Sequence, residues 1–169
     1  MSVLYMLSGK QSKSKVLKAL AYIDGSPTKF AAFISEFMKA DPRDSQKLAW
    51  VIGSIVDAHP TLIAPHVKRL IKKIEMPCHA AVKRNVLRAL SNQNVPLKSV
   101  GVLANHCFIF LDDVNETIAV RAFAMSILHR ICLFEPELSL ELIPILEYHI
   151  PHSSSGFQSR ARKIITALS

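Results

Sequence analysis

The sequence predicts an all-helical chain of repeated helical pairs, about nine helices in a curved solenoid. Three observations predict it. Pro27, Pro60, Pro96 and Pro136 recur 33, 36 and 40 residues apart, each ahead of an apolar stretch. Val16-Leu-Lys-Ala-Leu20 returns as Val86-Leu-Arg-Ala-Leu90 after 70 residues, or two units of 35. Apolar positions recur at spacings of three and four, the helical period, and no run alternates as a strand does. Self-similarity of this length marks stacked supersecondary units, none of which buries its apolar face without its neighbours.

The elements follow in order. An opening helix over about 14–23 is stopped by Asp24-Gly-Ser-Pro27, and Pro27 suits the first turn of the next helix. Four pairs follow over about 27–59, 60–94, 95–135 and 136–169. In the first pair one apolar stripe runs through Phe30, Phe33, Ile34 and Phe37, another through Leu48, Val51, Ile52 and Ile55, and Asp41-Pro42 divides them. The second pair carries Leu62, Ile63, Val67, Leu70, Ile71 and Ile74, then Val82, Val86, Ala89 and Leu90, divided at Met76-Pro77. The third is apolar on most sides, from Val100 to Leu111 and from Ile118 to Phe134, as suits helices flanked on both sides. Asp112-Asp113-Val-Asn115 divides it, with Asn115 the expected N-cap; in the fourth pair a serine of 153–155 is expected to cap the last helix.

At 169 residues the chain suits a single domain over 1–169. Half of it is hydrophobic and its mean hydropathy is +0.24, yet charges interrupt every apolar run short of the roughly 20 residues that span a bilayer. The opening Ser2 to Leu7 lacks the basic start and cleavage site of a secretory signal. The expected location is the cytoplasm and no membrane partner is expected; the apolar Val3 to Met6 offers a surface on which a second copy can pair. Cys78, Cys107 and Cys132 are odd in number and widely spaced, against both a disulfide framework and a zinc site. A net charge of +8 favours acidic partners.

Basic residues gather on the second helix of each pair: Arg43 and Lys47; Lys83, Arg84 and Arg88; Arg121 and Arg130; Arg160, Arg162 and Lys163. The plan of proline, apolar helix, Asp-rich turn and then Val-Arg or Val-Lys opening an Ala-rich helix, seen in Ala81-Val-Lys-Arg84 and Ala119-Val-Arg121, resembles the HEAT-like and armadillo-type repeats. Over nearly the whole chain the resemblance implies a right-handed α-α superhelix whose second helices line a concave wall. Lys47-Leu-Ala-Trp-Val51 and Gly156-Phe-Gln-Ser-Arg160 add a likeness to short bacterial HEAT-like proteins, some of which bear an adenylosuccinate lyase name. The lyase signature Gly-Ser-Ser-x-Met-Pro is absent, since Met-Pro does not follow Ser153-Ser-Ser-Gly156.

The candidate partner-binding set is therefore Lys47, Trp50, Lys83, Arg84, Arg88, Arg121, Arg160, Arg162 and Lys163 along one basic wall. Two readings stand: a docking face for an acidic protein or peptide, or solvated helix faces whose cations pair with turn acids such as Asp41, Asp112 and Asp113. Trp50, the single tryptophan, either anchors a partner or packs on Val16 and Leu20. A basic groove with Trp50 and Asp57 also resembles the HEAT-type DNA glycosylases of alkylation repair, which implies nucleic acid as a rival partner, although those enzymes use several tryptophans. Ser154, Ser155, Gly156 and Arg160 form a candidate anion site where a loop feeds a helix start. No cofactor is expected. His149 and His152 are separated by Pro151, the other histidines are scattered, and no nucleophile motif occurs, so neither metal ligands nor catalytic residues are assigned.

Overall fold

A computed structural model describes residues 2–169, all of whose regular elements are helical. Ten α-helices lie among them, in two compact units that meet at Pro96 and Leu97. The first unit holds α1 (Val3–Met6), α2 (Lys13–Ile23), α3 (Pro27–Lys39), α4 (Pro42–Ala58), α5 (Val67–Glu75) and α6 (Ala80–Leu90). The second holds α7 (Leu97–Asp112), α8 (Ile118–Cys132), α9 (Ser139–His149) and α10 (Ser155–Leu168).

The tenth helix is α1, a single turn that the apolar pattern does not announce. Glu36 of α3 explains it: its carboxylate accepts from the Val3 and Leu4 N–H groups at 3.1 and 3.3 Å and from the Ser2 hydroxyl, supplying partners that so short a helix leaves open. Val3 is thereby buried within its own unit, while Tyr5 remains exposed.

Caps set most starts. Ser12, Ser26, Asp41 and Ser154 each accept from the N–H three residues on, and Pro27 and Pro42 occupy first-turn positions. Asp24 and Gly25 end α2 in the left-handed region, with φ of 44° and 68°. Two expectations shift. Asn115 is not the cap of α8; Thr117 is, because Asp113 takes the Asn115 N–H into a local turn at 2.8 Å and delays the helix. Nor does Pro60 open a continuous helix. Residues 60–62 and 64–66 form two 3-10 turns before α5 begins at Val67, since Pro65 has no N–H to carry an α-helical ladder through.

The core of the first unit is built on Phe30, Phe33, Ile34, Phe37, Leu48, Ile52, Ile55, Leu70 and Ile74, and that of the second on Leu103, Leu111, Val120, Met125, Leu128, Leu142 and Leu146. The repeat period reappears as hydrogen bonds between equivalent helices. Arg69 Nη2 donates to Ser35 Oγ at 3.1 Å and Lys73 Nζ to the Phe37 carbonyl at 2.9 Å, both from α5 to α3. Arg88 of α6 reaches Asp57 of α4, His149 of α9 reaches Asp112 of α7, and Arg160 of α10 reaches Ala122 and Ser126 of α8. First helices bind first helices, and second helices bind second.

Gly53 marks a close approach between two of these helices. A Cβ built there would stand 2.1 Å from Asn85 Oδ1, so with that amide in place the position calls for glycine. Gly53 faces Asn85 and Asp57 faces Arg88, offsets of 32 and 31 residues that run in the same sense, so α4 and α6 are parallel.

Candidate functional site

Helices α2 and α4 build a groove on the first unit. On α4, Val51, Ile52 and Ile55 turn inward, which rotates Trp50, Ser54 and Asp57 outward. On α2, Val16, Ala19 and Ile23 are buried, so Lys13, Leu17 and Leu20 share a neighbouring face. Between these faces runs an open groove of about 390 Å³, lined by Lys13, Val16, Leu17, Leu20, Trp50, Ser54, Asp57 and Ala58. That volume is at the small end of ligand pockets, which run to roughly 300–1,000 Å³. Trp50 is 39% exposed and Leu17 53%, so the tryptophan both packs on α2 and presents a face to solvent.

Charge is arranged around this apolar floor. Asp57 would oppose an acidic ligand, but Arg88 Nη2 donates to both of its oxygens at 2.8 and 2.7 Å. Arg84 lies one turn earlier on the same exposed side of α6, and neither it nor Lys13 forms an ion pair among the described residues. Lys47 is held by Asp44 at 2.7 Å, a helical i,i+3 pair, and not by the turn acid Asp41, which caps α4. Lys83 is half-buried, beside Cys78, whose thiol is pushed up by burial against the pull of Lys83 and Lys73. Trp50 thus shares the groove with Asp57, Lys13 and Leu17, Arg88 is tied to it through Asp57, and Arg84 lies one turn before Arg88 on α6.

In the second unit the sequence-derived set divides. Arg121 faces the core: it is 8% exposed, its Nε donates to the Leu111 carbonyl at 2.9 Å, and its guanidinium lies 4.8 Å above the Phe157 ring. Burial lowers its pKa, and the negative charges of Asp112 and Asp113 oppose that shift. The expectation of Arg121 on an exposed wall is corrected accordingly: packing against α10 rotates it inward. Beside it His149 is buried, with Nε2 2.8 Å from Asp112 Oδ1 and Phe157 edge-on to its ring. Arg160 lies along α8, donating from Nη1 to the Ala122 carbonyl at 3.2 Å and to Ser126 Oγ at 2.7 Å. It therefore turns away from the Ser154-Ser155-Gly156 turn, where Ser154 accepts from the Phe157 N–H. Arg162 reaches Gln158 Oε1 at 3.2 Å, and Lys163 is exposed.

The charge is far from even between the units. Fifteen Lys and Arg stand against six Asp and Glu through Pro96, a net of +9, whereas six stand against seven from Leu97 onward, a net of −1. Part of the excess is on α5, a first helix that the second-helix pattern passes over. Its Lys68 and Lys72, four apart, are exposed on one side, opposite buried Leu70 and Ile74. Among the described residues no three His, Cys, Asp or Glu side chains gather to hold a metal, and no helix is long and apolar enough to cross a membrane.

Helical pairs that bond to their equivalents about 35 residues away define the class of α-helical repeat proteins. The family model for the HEAT repeat domain matches residues 4–168, and the chain belongs to that family, whose repeats generally serve as scaffolds for protein interaction. No curated protein and no solved structure matches it.

Proposed function

We propose that the chain is a non-catalytic binding module whose α2/α4 groove takes an acidic protein or peptide. The observation that carries this reading is the pairing of an accessible apolar floor, Leu17 and Trp50, with a rim from which negative charge has been cancelled. Arg88 occupies both oxygens of Asp57, leaving Lys13 and Arg84 to act on a ligand. An aromatic anchor within a basic rim is the arrangement that concentrates binding energy at interfaces, and the rim speeds encounter with acidic partners in a salt-dependent way.

Trp50 is the only tryptophan, so its emission reports this groove without labelling. Titration with a Glu-rich amphipathic peptide carrying one tyrosine is expected to shift that emission and saturate. A lysine counterpart of the peptide should leave it unchanged, and Lys13→Glu with Arg84→Glu should abolish the response. Response to duplex DNA alone, with a steep salt dependence, would replace this reading by nucleic-acid binding. No response to either ligand would reject the groove as a binding site.

A further inference from the structure

The second unit carries a surface of the opposite kind. From Ile131 to Ser159 the sequence has no Lys or Arg, while Glu135, Glu137, Glu141 and Glu147 all fall within it. On α9, Leu142, Leu146 and His149 are buried, which turns Leu140, Pro144 and Tyr148 outward at spacings of four. Leu140 is 80% exposed and Tyr148 69%, large apolar groups in one line along the helix. At about 100° per residue, Glu147 and Glu141 fall on the two edges of that line. Both are exposed and neither forms an ion pair among the described residues. Pro144 has no N–H, so the carbonyl of Leu140 lacks its α-helical donor and adds an acceptor to the same ridge.

Ridge and groove match feature by feature. The groove offers an apolar floor of Leu17, Leu20 and Trp50 with Lys13 in its lining and, on the parallel α6, Arg84 one turn before the Arg88 that binds Asp57; the ridge offers Leu140, Pro144 and Tyr148 with Glu141 and Glu147 beside it. α2, which forms one wall, and α9 are each 11 residues long, about 16 Å at 1.5 Å per residue. We propose that the α9 ridge of one copy docks in the α2/α4 groove of a second copy, a helix-in-groove contact. This rests on the reading of the groove as a site for acidic chains and names its occupant. The two surfaces differ, so the contact is head-to-tail: it either closes into a ring or continues as an open chain.

Sedimentation velocity on the whole protein from micromolar to millimolar concentration at low salt tests it. Concentration-dependent assembly is expected, weakened by salt because the pairs are solvent-exposed. Glu141→Lys with Glu147→Lys on the ridge, or Lys13→Glu with Arg84→Glu on the groove, should each weaken assembly roughly tenfold, the scale of two exposed ion pairs. All four positions are on the surface, and unchanged far-UV circular dichroism establishes that the variants fold. Mixing the ridge-blocked and groove-blocked variants separates this contact from any other, because the intact groove of the first meets the intact ridge of the second and the two charge-reversed surfaces also match, so assembly that each variant lacks alone returns in the mixture. A synthetic peptide spanning residues 138–150, read by Trp50 emission, tests the groove alone. Peptide binding with a chain that stays monomeric at every concentration overturns self-assembly and leaves the groove a site for another acidic chain. A monomeric chain with no peptide binding overturns both, and assembly indifferent to the four substitutions overturns this interface.

Discussion

Arg121 shows how one side chain changes meaning between sequence and fold. Its Nε has the Leu111 carbonyl, its guanidinium has the Phe157 ring, and its Nη2 is buried with no hydrogen-bond partner among the described residues. Arg121→Ala removes the bond and the packing together, and is expected to lower stability by about 2–3 kcal/mol in denaturant unfolding. Arg121→Met keeps the apolar stem and discards the orphaned donor, and should cost under about 1 kcal/mol. Gly53 is constrained as tightly: Gly53→Ala drives a methyl into Asn85 and is expected to cost about 1–3 kcal/mol, with Asn85→Ala recovering at least half in the double variant. His66 supplies a pH dependence. Its pKa is lowered by burial and then by Arg69, so the folded state favours the neutral ring. Its contribution is present above the ordinary histidine pKa and is lost as pH falls through it, because the unfolded chain then takes up the proton more readily. Stability measured from neutral pH down to pH 5 should decline less steeply in His66→Gln than in the wild type.

At the scale of the element, several helix starts were legible where proline or serine followed a turn, though not at Pro60, because capping and fixed φ are local properties. Pro27, Pro42 and Ser154 act as their neighbours in sequence suggest. The start of α8 was not, since Asp113 diverts the Asn115 N–H into a competing turn. Thr117→Ala is accordingly expected to cost about 1 kcal/mol and Asn115→Ala almost nothing, read as midpoints of urea unfolding; equal effects would return the cap to Asn115. The groove was half legible. Trp50 and Val16 follow from the outward and inward faces of α4 and α2, whereas Leu17 and Lys13 join the site only because α2 lies along α4. Spacings of four and three among Lys13, Leu17 and Leu20 carried that signal, masked by the adjacent core stripe.

For the whole molecule the separation of charge, +9 in the first unit and −1 in the second, matters more than the total of +8. A field of one sign over one unit steers acidic partners to it, and α5 contributes exposed charge at Lys68 and Lys72. Lys68→Glu with Lys72→Glu is therefore expected to lower the salt needed for elution from a cation exchanger more than Arg162→Glu with Lys163→Glu; the reverse order would place the dominant field on the second unit. The all-α class, the repeat period and most helix boundaries were determined by the sequence alone, for each is written within one or two turns of chain. Which cations remain available was decided only by the tertiary structure. Arg88 is taken by Asp57, 31 residues away, Arg160 by α8, and Arg121 by the core. Each outcome depends on how a helix is rotated and set against its equivalent one repeat distant, and hydrophobic period fixes only which side of a helix is buried, not which charge on a neighbouring helix its rim will meet.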